Sequence, residues 1–341
     1  MKKLPINLGP NSYEIIIEDD LLFHLSFYIE QIYHNDKIFI ITDDIVAKYY
    51  LDKVIEGLKF RYDVETVIFQ NGEASKNIDN YTYLVEELLN KNIRRNHLLL
   101  ALGGGVVGDI TGFVAATLYR GLPYVNVPTT LLSQMDSSIG GKTGIDFAGR
   151  KNIIGAFKQP KLVLIDPRVL NTLSQREFNN GMGELIKHAA IGNKELFIKL
   201  KSKPLINEDI IFESLTVKKQ VVEQDEFDLK ERMLLNFGHT FGHAIELKYN
   251  LKHGEAVAIG MLMAINLGID LGVTKKSCYD DILAIIKAYD LPSDVFDYKN
   301  YLDAIANDKK NLAGELNFIL LEEIGKAIIY PIEERKLKEL L

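Results

Sequence analysis

The 341-residue chain has no tryptophan and a single cysteine, Cys278, so no internal disulfide can form and a reducing compartment is expected. It has no excess of positive charge. Its 40 lysines and arginines stand against 47 acids, a formal charge of -7, which makes nucleic acid and anionic membrane surfaces poor partners. The longest apolar stretch, Ala256 to Val273, is interrupted by Asn266 and Asp270 and is too short and polar to span a bilayer. It reads as a buried core helix. Met1 to Pro10 carries neither the apolar core nor the cleavage site of a signal peptide, and the expected location is cytoplasmic. No internal repeat or low-complexity segment is present.

What is there is an ordinary globular composition, 47% hydrophobic and 26% charged, in a chain longer than one core usually serves. The first half alternates strand-like runs (Lys37 to Thr42, Val64 to Phe69, His97 to Leu102) with helical ones (Tyr49 to Leu58, Ile78 to Asn90). That alternation predicts an α/β domain with a parallel sheet. Beyond about Asp166 the pattern becomes helical: Glu177 to Ile191, Glu195 to Lys201, Asp209 to Glu223, Met233 to Tyr249, Glu255 to Leu271 and Cys278 to Tyr289. Gly155, Pro160 and Pro167, around the strand-like Leu162 to Ile165, mark the boundary. The expectation is a nucleotide-binding α/β domain over 1–166 and an all-α domain over 167–341, with ligands in a cleft between domains.

Directly after Leu102 comes Gly103-Gly104-Gly105-Val106-Val107-Gly108-Asp109, then a helical run from Ile110. Glycines let a phosphate touch the backbone, and a helix N-terminus offers unpaired N-H groups and a positive dipole end. The acid expected about 20 residues on in an ordinary dinucleotide fingerprint is missing; Leu122, Pro123 and Tyr124 stand there instead. Asp43 and Asp44, at the end of an earlier strand, could bind the ribose hydroxyls or could cap the helix that follows.

In the helical half, Gly181 to His188, Asn236 to His243 and His253 to Glu255 hold four of the chain's seven histidines. A carboxylate with two imidazoles is a common catalytic zinc set, and Glu184, His239 and His253 would supply it. Spacing alone does not choose His239 over His243. Singly, each histidine also reads as a hydrogen-bonded core or surface residue, and Glu255 as a helix-start glutamate favoured by the dipole. The loop from Pro128 to Asp146 is rich in hydroxyls, glycines and charges, a poor core segment and a good ligand loop. Lys142, Lys151 and Asn152 offer anion-binding groups, and more cations stand at Lys187, Lys218, Arg232 and Lys309-Lys310. Converging, they would clamp a phosphate or carboxylate.

On these residues the chain resembles the dehydroquinate synthases. The matching segments are Gly72 to Lys76, the Gly103 to Gly112 turn, Tyr119-Arg120-Gly121, the Pro128 to Asp146 loop, Lys151 to Phe157, Gly181 to Ala190, Asn236 to Glu246, His253 to Met261 and Asp308-Lys309-Lys310, covering about residue 43 to 320. The resemblance implies one NAD and one zinc (or cobalt) per subunit and a homodimer. It makes Glu184, His239 and His253 the metal ligands. NAD would be held by Asp43, Glu73, Lys76, Gly104, Gly105, Val106, Asp109, Thr129, Thr130, Lys142, Lys151, Thr172 and Leu173. Substrate would meet Asp136, Lys142, Asn152, Lys187, Lys218, Arg232, Asn236, His243 and Lys310, with Arg120 reaching the neighbouring subunit's site.

The implied reaction takes 3-deoxy-D-arabino-heptulosonate 7-phosphate to 3-dehydroquinate and phosphate by transient oxidation, phosphate elimination, reduction and intramolecular aldol closure. Sister sugar-phosphate cyclases, glycerol-dehydrogenase-like oxidoreductases and a non-catalytic NAD-binding protein are the rival readings. Glycerol dehydrogenases usually start their metal set from an aspartate, where Glu184 stands here. Ile45 stands where the family often has asparagine near the ribose, and Gly183 where Gly-Met-Ala-Glu has alanine; neither alters a charge in the site, and both are expected to bear only on adenosine binding.

Overall fold

A computed structural model of the protein describes residues 1–246, 248–294, 296–302 and 316–332. Residues Met1–Ser174 together with Ile206–Phe212 form one compact unit, and Gln175–Leu205 with Glu213–Leu341 form a second. The chain thus leaves the first unit after Ser174, past the 3-10 turn Pro167–Thr172, and returns to it briefly.

The first unit is built on a seven-stranded sheet. Its strands are β1 (Lys2–Ile6), β2 (Tyr13–Ile17), β3 (Lys37–Asp43), β4 (Asp63–Phe69), β5 (Leu98–Gly103), β6 (Tyr124–Pro128) and, last in sequence, β9 (Leu162–Ile165), in the order β1-β2-β9-β6-β5-β3-β4. All neighbours are parallel except β1 against β2. The central strands β3, β5 and β6 are buried along almost their whole length and mostly apolar because both faces of the sheet are covered. Ile38, Ile40, Leu98 and Leu100 pack into one core, and the intervening Phe39, Ile41, Leu99 and Ala101 into the other. Between β6 and β9 the chain makes a separate antiparallel hairpin of β7 (Lys142–Phe147) and β8 (Arg150–Phe157).

From β3 the chain runs outward to β4 and then crosses back to β5 on the other side of β3. Strand order therefore reverses between β3 and β5, and the carboxyl ends of those two strands, Asp43 and Gly103, flank the point where open α/β sheets bind ligands.

The second unit is helical, with Gln175–Gly192, Lys194–Leu200, His239–Glu246, His253–Asp270 and Ser277–Ala288 among its helices, and Glu208–Gln224 continuing into it. His253–Asp270 is buried almost all round, as a helix without a polar face must be. An antiparallel hairpin, β10 (Leu316–Glu323) with β11 (Lys326–Ile332), adds strands to a half expected to be all-α. One helix expected over Met233 to Tyr249 is two elements. A 3-10 turn, Glu231–Asn236, ends before Gly238, whose φ of +80° breaks the helix ahead of His239–Glu246. Asn236 is therefore not one α-turn beyond Arg232 on a continuous helix face. Among the described residues no helix is long and apolar enough to cross a membrane.

Candidate functional site

In the first unit the glycine turn leads directly into the helix Gly105–Thr117, with Gly104 as its extended N-cap. Gly104, Gly105 and Val106 thus stand where a helix presents unpaired N-H groups. A Cβ on Gly104 would press on Thr130, and one on Gly105 on Ser137, each at 3.1 Å. Thr129 follows β6, its N-H donating to Gly103 O at 2.9 Å, and its buried hydroxyl has no hydrogen-bond partner. Bare backbone beside a buried, unsatisfied hydroxyl fits a phosphate-bearing nucleotide.

One turn along that helix, Asp109 pairs at 2.5 Å with the buried Lys76, which also donates to Asn152 Oδ1. Burial raises the Asp109 carboxyl despite Lys76; burial also opposes the charge on Lys76, but Asp109 overrides it and the amine is raised. Glu73 adds to the field on both. Asp43 is buried and caps the helical residues that follow, its Oδ1 accepting from Ile45 N (3.0 Å) and Val46 N (2.8 Å). Asp44 accepts from Asn71 N at 2.7 Å. Thr172 bonds the Tyr50 hydroxyl at 2.5 Å, and Leu173 N donates to Leu170 O. Asp136 lies half-buried in the helical turn Ser133–Ser137. Lys142 and Lys151 are exposed on the β7–β8 hairpin, and Arg120 is exposed in a turn where Tyr119 (φ +52°), Arg120 (φ +62°) and Gly121 (φ +127°) are all left-handed.

In the second unit Glu184, on Gln175–Gly192, is fully buried. Its Oε1 lies 3.3 Å from His253 Nε2 and 3.6 Å from His239 Nε2, and its Oε2 lies 2.5 Å from the buried Lys187. A tetrahedral ion with bonds of about 2.0–2.1 Å holds its donors about 3.3–3.4 Å apart, close to the separations of the carboxylate oxygen from the two imidazoles. The donor atoms of Glu184, His239 and His253 all lie within 4.8 Å of one another. His243, Glu246 and His253 form a second such group, with Glu246 Oε2 3.6 Å from His253 Nδ1.

Charge explains the cluster's electrostatics. Burial would raise the Glu184 carboxyl, but Lys187, His253 and His239 hold it well below the usual range. Burial, reinforced by Lys187, pushes His239 down to about 3, keeping its imidazole neutral. His253 is also desolvated, yet Glu184 and Glu246 raise it to about 10. The two carboxylates thus demand a cation, which a proton on His253 supplies and a divalent ion could supply instead.

The helices bring the donors together by backbone contact. Gly183 and Gly254, the residues beside Glu184 and His253, meet so closely that a Cβ on Gly183 would stand 2.7 Å from Gly254 Cα. The Gly183 departure therefore concerns the approach of the helices carrying Glu184 and His253, not the nucleotide turn of the first unit. Lys218 and Arg232 are also buried in this unit, Asn236 is half-buried and His243 exposed. Lys309 and Lys310 lie outside the described residues. Sequence reading missed Glu246, although it lies two helical turns beyond His239 and so shares its face. It also missed Arg176, which grips Glu255 with two hydrogen bonds (2.7 and 2.8 Å) while Glu255 accepts from Lys252 N.

A phosphate-cradling α/β unit in one half of the chain and a carboxylate with two imidazoles on helices in the other define a class, the nucleotide- and metal-dependent enzymes of two-domain plan. Comparison with known proteins narrows it. Residues 66–180 match the 3-dehydroquinate synthase N-terminal family and residues 181–311 the 3-dehydroquinate synthase C-terminal family. The chain belongs to the 3-dehydroquinate synthase family. It is 44% identical over 342 residues to a 3-dehydroquinate synthase of Clostridium botulinum (strain Alaska E43 / Type E3), covering 96% of this chain and 97% of that protein. It is 45% identical over 341 residues to that of Clostridium beijerinckii, covering 96% and 97%. Among solved structures it resembles 2-epi-5-epi-valiolone synthase from Streptomyces hygroscopicus subsp. jinggangensis 5008 with NAD+ and Zn2+ bound, at 26% identity, a TM-score of 0.85 and coverage of 96% and 95%.

Proposed function

We infer that the chain is a carbon-oxygen lyase that converts 3-deoxy-D-arabino-heptulosonate 7-phosphate to 3-dehydroquinate and phosphate, a step of the shikimate pathway to aromatic amino acids. The observation that carries this is the buried Glu184 with His239, His253 and Lys187, in a chain 44% identical across 96% of its length to a 3-dehydroquinate synthase. Resemblance to a cyclase holding NAD+ and Zn2+ supports the same two groups here.

Glu184, His239 and His253 would hold zinc or cobalt, and Gly104, Gly105, Val106, Thr129 and Thr130 the pyrophosphate of NAD. The metal when bound supplies Lewis acidity to the substrate hydroxyls, and NAD supplies a hydride acceptor that gives the hydride back within the turnover. Asp43, Glu73, Lys76, Asp109, Lys151, Thr172 and Leu173 would position the rest of the nucleotide. The low proton affinity of His239 keeps its lone pair available as a donor. Lys187, Lys218 and Arg232, buried cations, would bind the substrate's anionic groups, Arg232 with the planar fork that suits a carboxylate. Asp136, Lys142, Asn152, Asn236, His243 and Lys310 would complete the substrate contacts. The substrate's own departing phosphate would take the proton lost in the elimination. A homodimer in the cytoplasm, with Arg120 serving the neighbouring subunit's site, completes the reading.

The test is phosphate release from the heptulosonate phosphate with and without NAD and metal. Both should be required, and no NADH should accumulate. Stoichiometric NADH would favour a dehydrogenase; faster turnover of glucose 6-phosphate or sedoheptulose 7-phosphate would favour a sister cyclase.

A further inference from the structure

Between the helix Glu208–Gln224, which carries Lys218, and the 3-10 turn Glu231–Asn236, which carries Arg232 and Asn236, the chain makes a tight loop. Asp225 continues the helix backbone, its N-H donating to Val221 O at 3.1 Å. Its carboxylate then gathers the loop. Oδ1 accepts from Leu229 N at 3.0 Å, and Oδ2 from Lys230 N at 2.6 Å and Arg232 N at 3.2 Å. Asp228, inside the loop, has a left-handed φ of +60°. The Arg232 side chain turns back into the same loop, Nη1 donating to Glu226 O at 2.6 Å, and is buried.

We propose that Asp225 is a positioning residue for substrate binding, fixing the backbone of Arg232 and hence the aim of its guanidinium. The proposal rests on the reading of Arg232 as an anion-binding group. Three backbone N-H groups on one carboxylate gather a loop whose Phe227, Leu229 and Lys230 side chains are exposed. A fork gripping a carboxylate depends on direction, so a guanidinium whose backbone drifts loses one of its two bonds. Glu226 contributes its backbone carbonyl to Arg232.

The experiment is steady-state kinetics on the NAD- and zinc-loaded enzyme for Asp225→Ala, Asp225→Asn and Arg232→Ala, with zinc content and NAD affinity measured alongside. Asp225→Ala should raise KM for the heptulosonate phosphate about tenfold, with zinc content and NAD affinity unchanged. Asp225→Asn, which keeps one acceptor oxygen, should raise it about threefold, and this variant carries the test if the alanine variant does not fold. A general loosening of the fold would instead lower zinc content or NAD affinity with KM, and would overturn the proposal. So would wild-type KM in a folded Asp225→Asn while Arg232→Ala raises KM. Wild-type kinetics in Arg232→Ala would instead overturn the underlying reading of Arg232.

Discussion

Replacing Gly254 by alanine should remove His253 from the donor cluster while leaving the chain folded. Gly254 follows His253 at the start of its helix and donates its N-H to Asn180 Oδ1 at 2.7 Å. A Cβ there would stand 2.8 Å from the Asn180 carbonyl carbon and closer still to its oxygen, whereas ordinary contacts begin at 3.4 Å. Both obstacles are backbone, so the helix start must retreat by more than about 1 Å. His253 Nε2 now lies 3.3 Å from Glu184 Oε1. The retreat would carry that separation past about 4.2 Å, the span of two ~2.1 Å bonds laid end to end, and one ion could no longer bind both. Disturbing a metal's outer shell typically costs about 10–100-fold in affinity, and losing a ligand should cost at least that. Overpacking of about 1–3 kcal/mol is partly offset by a helix-propensity gain of up to about 1 kcal/mol, so the fold should survive. Zinc affinity would be measured by competition with a chromophoric chelator, with thermal unfolding in parallel. Gly183→Ala, whose Cβ would press on the Gly254 backbone from the Glu184 helix, should weaken zinc in the same direction. A folded Gly254→Ala variant with wild-type zinc affinity would refute the reasoning.

Chelation, or Glu184→Gln, should abolish phosphate release while NAD still binds, because the glycine turn belongs to the other unit; full activity in protein shown to be metal-free would sink this. Lys76→Met should destabilise the first unit by about 2–3 kcal/mol, less than the ~3–5 kcal/mol of a fully buried broken pair, since the Asp109 side chain is 18% exposed. Urea unfolding at neutral pH measures it, and a loss under about 0.5 kcal/mol would contradict the pairing. Asp225 gives a pH dependence. Burial would raise its carboxyl, but the N-H groups of Leu229, Lys230 and Arg232 hold it below the ordinary 3.8. A depressed folded value means the unfolded chain binds the proton first. Its stabilisation should thus be complete above that ordinary value and fade as pH falls through the folded one. Unfolding curves of wild type and Asp225→Asn should converge only below about pH 4, and a gap that stays constant through that range would count against it.

The α/β half was legible because its signals are local. Runs such as Lys37 to Thr42 and His97 to Leu102 are continuously apolar between their polar ends, Ile38 to Ile41 and Leu98 to Leu102, and the glycine turn follows β5 without a break. Asp43 kept two readings open, and its capping bonds to Ile45 N and Val46 N depend on main-chain geometry that composition does not carry. The helix expected through Met233 to Tyr249 failed for a non-local reason. Apolar spacing runs straight through Gly238, but a Cβ there would lie 2.8 Å from Val257 O on the neighbouring helix. Likewise Gly183 looked incidental in sequence, since the surface it faces belongs to residues some seventy positions away. The hairpin Leu316–Glu323 and Lys326–Ile332 had a readable signal, two β-rich runs about Gly325, that the helical pattern before it obscured.

The return of Ile206–Phe212 to the first unit bears on how the protein is made. The amino group of Met1 pairs with Glu208 at 2.7 Å, Lys2 with Asp209 at 2.7 Å, and Asp19 N donates to Glu208 Oε1 at 3.1 Å. A chain emerging from the ribosome therefore has the sheet's residues in hand by Ser174, yet these partners arrive only after residues 175 to 209, 35 in all, have followed. At about 5–20 residues per second that is a wait of about 2–7 s, during which β1 is made but lacks this anchor.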